Sequence, residues 1–156
     1  MSRPSSPPSP GRAPSPPSRP DPKHKGEVAE LCFAHRATRL GLVVSKPYGD
    51  TAPYDFVVEG GGALRRVQVR SAWSHDLWGS YQVTATHRAN GQRAYTSAQI
   101  EVLAAYLVPE NTWYLIPIDA LLGRKTFHLG GRDRLLERYR ELWSILTSPR
   151  SRRAPR

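Results

Sequence analysis

Residues 54–72 read YDFVVEGGGALRRVQVRSA, two runs rich in β-branched residues on either side of three consecutive glycines. The pattern predicts a β-hairpin, with strands at 54–59 and 63–72 and a reversal at 60–62. Side chains alternate along a strand, so Val67 and Val69 point to one face while Arg66, Gln68 and Arg70 point to the other. Such a polar face ordinarily belongs to a strand half exposed to water. The alternative is that it carries chemistry, and the flanking sequence bears on which.

Upstream, LVVSKP (42–47) reads as a short strand closed by Pro47, and YGDTAP (48–53) as a turn-rich loop. Before them, KGEVAELCFAHRATRL (25–40) has helix-forming residues, no proline, and Gly41 at its end. Downstream, SYQVTAT (80–86) alternates as a strand and HRANGQR (87–93) is a polar loop. The runs VLAAYLV (102–108) and TWYLIPI (112–118) are apolar throughout, which predicts two strands buried on both faces. Last, DRLLERYRELWSIL (133–146) spaces Leu135, Leu136, Tyr139, Leu142, Trp143 and Leu146 as a core-facing helix would. The order predicts an α/β fold: a mixed central β-sheet flanked by helices.

A chain of 156 residues has room for one domain, expected over 23–148. Residues 1–22 contain nine prolines and six serines and are expected to be a disordered tail, as is the basic stretch 149–156. No segment has the apolar core of a secretion signal or the roughly 18 apolar residues of a membrane span. The expectation is a soluble protein of the cytoplasm or nucleoid, with no membrane partner. The single cysteine, Cys32, excludes an internal disulfide. Lysine and arginine exceed aspartate and glutamate by 23 − 13 = 10. Residues 1–22 hold +2 of that and residues 149–156 hold +4, leaving +4 for the body. A basic body with cationic tails suits a polyanion such as nucleic acid.

Four polar residues sit where this architecture could gather them: Glu30 in the first helix, Asp55 at the start of a strand, and Gln68 and Arg70 on the next. Adjacent strands lie about 5 Å apart, so Asp55 and the Gln68/Arg70 face can share one end of the sheet. Glu30 shares a helical stripe with Phe33, Ala34 and Ala37, which presses it toward the sheet. Glu27 is the alternative helix carboxylate.

Here the sequence resembles a known family. GEVAEL, followed by KPYGDTAPYDFVVEGGGALRRVQVRSA, is similar to the PD-(D/E)xK nuclease superfamily, and within it to the group I intron-associated homing endonucleases. Members of that branch carry Q-x-K after an upstream Y-D; this chain has Q-x-R. LAAYLVPENTWYLIPIDAL and ERYRELW resemble the branch's late strand pair and closing helix, so the likeness runs over about 25–147. It implies a restriction-endonuclease-like fold and a metal-dependent DNA endonuclease that hydrolyses phosphodiesters in double-stranded or branched DNA. It also implies catalytic positions at Glu30, Asp55, Gln68 and Arg70. The metal implied is Mg²⁺ or Mn²⁺, with Asp55 as principal ligand, Glu30 as a direct or water-mediated second, Gln68 as a neutral oxygen donor and the carbonyl of Val69 completing the shell.

The departure falls on Arg70. Arginine supplies charge and can grip phosphate through two N–H groups, but its pKa above about 12 bars it from accepting a proton. Three readings stay open: Arg70 supports cleavage, a lysine elsewhere (Lys46 being nearest) has taken the role, or the chain is a non-cleaving DNA-binding module. Lys25, Arg88, Arg93 and Tyr95 are candidate nucleic-acid contacts. Cutting both strands calls for two sites, hence a homodimer or homotetramer. Other chemistries find little support. Ser74, His75 and Asp76 are adjacent in sequence and cannot form a relay, and the histidines lack zinc spacing.

Overall fold

Ala29, Phe33 and Ala37, each four residues apart, are the buried stripe of one helix, α1 (Pro22–Arg39). The computed structural model describes residues 21–87, 92–132 and 134–148. Residues 1–20 of the tail expected over 1–22, the tail expected over 149–156, and Arg88 lie outside these, whereas Asp21 and Pro22 cap and begin α1. Proline fits the first helical turn because its missing N–H would have no partner there. Ahead of it, Asp21 accepts from the backbone N–H of His24 at 2.7 Å. The helix therefore starts a little before the predicted Lys25.

Nine strands follow among the described residues. β1 (Val43–Ser45), β2 (Phe56–Gly60), β3 (Ala63–Ala72), β7 (Val102–Leu107) and β8 (Thr112–Pro117) form one sheet in the order β1-β2-β3-β7-β8. Every pairing in it is antiparallel except β3 with β7, which is parallel, so the sheet is mixed as expected. β4 (Ser80–Thr84) pairs with β9 (Thr126–Gly130), and β5 (Thr86–His87) with β6 (Arg93–Ala94). Neither β6 nor β9 was expected: β6 is two residues long, and β9 has only Phe127 and Leu129 to mark its buried face.

The large sheet is covered on both sides. On one, Phe33 of α1 stacks on Phe56 at 5.4 Å and meets Trp113 and Trp143 at 5.6 Å each, above Val67 and Val69. On the other, Leu103, Tyr114 and Ile116 pack against Tyr81, Val83 and Leu129 of the β4–β9 pair. Burial on both faces of β7 and β8 follows, and matches their unbroken apolar runs. The predicted hairpin is present, with Phe56 opposite Val67. Its turn needs glycine: Gly61 has φ +56°, and a Cβ there would lie 2.4 Å from the carbonyl oxygen of Thr147.

The helix expected over 133–146 is not what forms. Two 3₁₀ turns, Glu137–Tyr139 and Trp143–Leu146, are separated by an extended Arg140 and by Glu141 at φ 50°. The reason lies in where the apolar residues go. Leu136 belongs to the core beneath β4 and β9, whereas Trp143 and Leu146 belong to the core beneath α1. One helix buries one stripe, so a segment that must reach both sides of the sheet crosses its edge instead. In crossing, Arg140 bridges to Tyr114, and the backbone N–H of Glu141 donates to the carbonyl of Trp113 at 2.8 Å. The outer edge of β8 is thereby covered.

Candidate functional site

The two strands of the hairpin part company at Asp55. Its backbone N–H makes a last bond to the carbonyl of Val67, at 3.0 Å, and the chain then turns away. The backbone groups of Val69 point the same way as those of Val67, because direction alternates along a strand. Among the described residues no strand meets them. The Asp55 carboxylate does so instead: Oδ2 accepts from the Val69 N–H at 2.8 Å and from Gln68 Nε2 at 2.6 Å. The Val69 carbonyl accepts from Gln68 Nε2 and from Arg70, both at 3.3 Å. Gln68 is only 5 % exposed, so the polar face of β3 is not a solvated one at this end. Burial, aided by the charge of Glu30, raises the Asp55 carboxyl above its ordinary range, against the opposing pull of the Val69 N–H, Arg70 and Gln68.

Glu30 approaches from α1. Its Oε2 pairs with the ammonium of Lys46, the residue after β1, and this contact raises the lysine's pKa. Asp55 joins two groups of residues, being hydrogen-bonded to Gln68 on one side and within electrostatic reach of Glu30 and Lys46 on the other. Glu27 and Glu30 both line a hollow of about 300 Å³ with Lys46 and Phe56. Glu30 is the one bonded to Lys46 and the one whose charge acts on Asp55, which favours it over Glu27.

Arg70 is held by four hydrogen bonds to its own chain. Its Nε donates to the Thr84 carbonyl at 3.2 Å, Nη2 donates to the Thr86 carbonyl at 2.8 Å and to the Tyr95 hydroxyl at 3.0 Å, and Nη1 donates to Val69 at 3.3 Å. Thr84 and Thr86 flank Ala85, whose carbonyl accepts from the Tyr95 N–H at 3.2 Å. Arg70 thus pins the β4–β5 junction and Tyr95 to the middle strand. At about 0.5–1.5 kcal/mol net per hydrogen bond, displacing it costs several kcal/mol. The Lys46–Glu30 pair is solvated on the lysine side, 63 % exposed, and such pairs contribute about 0–1 kcal/mol.

Beside Gln68 and Arg70 opens a cleft of about 1060 Å³, walled by Thr84, Thr86, Gln92 and Tyr95. Tyr95 differs from its expectation as an aromatic in a basic loop: it is 6 % exposed, and its ring packs against His87 and Arg70. Its backbone bond to Ala85 draws it inward. Arg93 is exposed in β6, while Lys25 lies over the Trp73 ring at 5.4 Å. No periodicity in the sequence marks the Thr84 and Thr86 carbonyls as partners of Arg70, because any residue supplies a carbonyl.

Among the described residues, no three His, Cys, Asp or Glu side chains gather as a metal-ligating group. The donors at hand are the carboxylates of Asp55 and Glu30 and the ladder-free carbonyl of Val69. An all-oxygen set with few protein ligands fits a hard divalent cation that keeps its waters. Gln68 turns its amide nitrogen toward Asp55, so its oxygen joins that set only if the amide rotates.

A family model described as PD-(D/E)XK endonuclease matches residues 20–135 of the chain. Among solved structures, a bacterial homing endonuclease, I-Ssp6803I, is similar with a TM-score of 0.72 and 29% sequence identity, over 82% of this chain and 94% of that one. No curated protein matches.

Proposed function

Because the chain belongs to the PD-(D/E)XK endonuclease family, we propose that it is a metal-dependent DNA endonuclease that hydrolyses phosphodiester bonds, in the manner of a homing endonuclease. One observation carries the reading: the half-buried Asp55 carboxylate lies where β2 leaves β3, against Val69 and within reach of Glu30. Asp55, Glu30 and the Val69 carbonyl would hold Mg²⁺ or Mn²⁺, with Gln68 beside them. A divalent cation bound there supplies an acidified water and offsets the charge of the scissile phosphate.

The chain's own residues prepare that ground. Gln68 and the Val69 N–H fix the rotamer of Asp55, so its second oxygen keeps a set direction. Arg70 provides a positive charge whose position the cleft wall fixes, and preorganised charge of this kind is the largest electrostatic aid an active site offers. The cleft beside it admits a nucleic-acid backbone, with Arg93 and Lys25 as outlying contacts and Arg88 a further candidate. Double-strand cleavage would pair two such sites in a homodimer or homotetramer. No helix among the described residues is long and apolar enough to cross a membrane.

A second reading has one observation in its favour. The motif's usual lysine is an arginine that cannot take up a proton, as a DNA-binding module without cleavage would tolerate. The deciding experiment incubates a pool of supercoiled plasmid, branched DNA and random-sequence duplex with Mg²⁺ or Mn²⁺, beside EDTA and Asp55→Ala controls. Metal-dependent scission that Asp55→Ala reduces by about 100-fold or more supports the endonuclease. Binding without scission under every condition supports the second reading.

A further inference from the structure

A guanidinium has five N–H groups, and Arg70 directs four of them at its own chain: to Thr84, Thr86, Tyr95 and Val69. One hydrogen on Nη1 is left. The paired, parallel N–H contact by which arginine grips a phosphate is therefore not open to Arg70 as long as the cleft wall stays assembled. Releasing it would detach Tyr95 and the β4–β5 junction together.

Lys46 has the opposite character. Its side chain is 63 % exposed on an unbranched stem, its hydrogen-bonding partner is Glu30, and its charge already acts on Asp55. It stands just past β1, beside β2, whose first residue Phe56 directly follows Asp55, and its ammonium is 5.5 Å from the ring centre of Phe56. An incoming phosphate at Asp55 competes with Glu30 for this ammonium. The lysine end of this pair is the solvated one, 63 % exposed against 23 % for Glu30, so the ammonium can turn from the carboxylate to a phosphate.

We propose that Lys46, not Arg70, is the catalytic cation that meets the scissile phosphate, while Arg70 and Tyr95 hold the cleft wall. The inference rests on the endonuclease reading, with Lys46 acting as an ammonium and no proton leaving it. It divides between two residues what a lysine at position 70 would do alone: the fixed charge stays on β3 and the movable one comes from beyond β1.

The test compares native chain, Lys46→Met, Lys46→Arg and Arg70→Lys. Binding of a labelled random-sequence duplex in Ca²⁺ is followed against salt, and cleavage rates are measured at saturating DNA with Mg²⁺. One lost phosphate contact makes the log K against log salt slope shallower by about 0.9. Lys46→Met is expected to show that change, to lose about 100-fold in cleavage and to keep its melting temperature, with Lys46→Arg recovering the slope and part of the rate. Arg70→Lys is expected to leave the slope unchanged and lower the melting temperature. An unchanged slope in Lys46→Met overturns the phosphate contact, and an unchanged rate overturns the catalytic role. A native chain that binds but never cuts sinks the endonuclease reading, and the slope still decides whether Lys46 touches phosphate.

Discussion

Burial lifts the Asp55 carboxyl above its ordinary value of 3.8, although two N–H groups favour its charged form. A carboxyl with a raised folded pKa binds its proton more tightly in the folded chain than in the unfolded one. Its contribution to stability is then greatest below the ordinary value and declines as pH rises through that value to the raised one. At neutral pH the charged Asp55 therefore costs the fold stability. Asp55→Asn keeps an oxygen for the Val69 and Gln68 donors and removes the charge. It should melt a few degrees above the native chain at pH 7, in EDTA, and match it at about pH 3, as thermal melts across pH would show. Equal melting temperatures at pH 7 would mean that Asp55 is not strained. Position 68 follows the same logic: a second acid beside Asp55 would add like charge in a buried place, and glutamine instead donates to the carboxylate. That partnership was legible in the alternation of LRRVQVRSA, given the hairpin. The hold of Thr84, Thr86 and Tyr95 on Arg70 was not, because backbone carbonyls leave no trace in residue type.

At the scale of elements, patterns that serve one environment were readable and patterns split between two were not. The hairpin, the first helix with Phe33 and Ala37 on its inward stripe, and the doubly buried β7 and β8 each answer to one period or one apolar run, whereas the stripe's first member is Ala29 and not the expected Glu30. The segment 134–148 has helical spacing and becomes a strap because its apolar residues belong to two cores. Glu141 secures that strap. Its Oε1 accepts from the N–H of Trp113 and its Oε2 from the indole of Trp143, both at 2.8 Å. Trp113 is 3 % exposed, so its N–H has little water to turn to. Glu141→Ala is expected to cost about 1–3 kcal/mol, measured as a lower urea midpoint with the slope unchanged. A loss below about 0.5 kcal/mol would mean that the strap is held by its apolar residues alone.

For the whole molecule, charge and topology act separately. Of the net charge of +10, residues 149–156 carry four arginines, and the body from 23 to 148 carries +4. Deleting 149–156 leaves Ser148, whose carbonyl accepts from Arg65 at 2.6 Å, and so leaves the packed body intact. Affinity for random duplex should fall, the salt slope should become shallower by up to about 0.9 per arginine, and the melting temperature should hold. A slope that does not move would remove these arginines from the phosphate contacts. By itself the sequence determined the hairpin, the first helix and the mixed sheet, because these depend on local period and residue chemistry, and its resemblance to a known family pointed to the nuclease family and to four residues to watch. Tertiary structure alone decided the rest. It opened β2 from β3 at Asp55, paired Glu30 with Lys46 and closed the cleft wall around Arg70. Those outcomes turn on which backbone groups remain unpaired when strands diverge and on which side chain reaches them, and both are set only when distant segments pack.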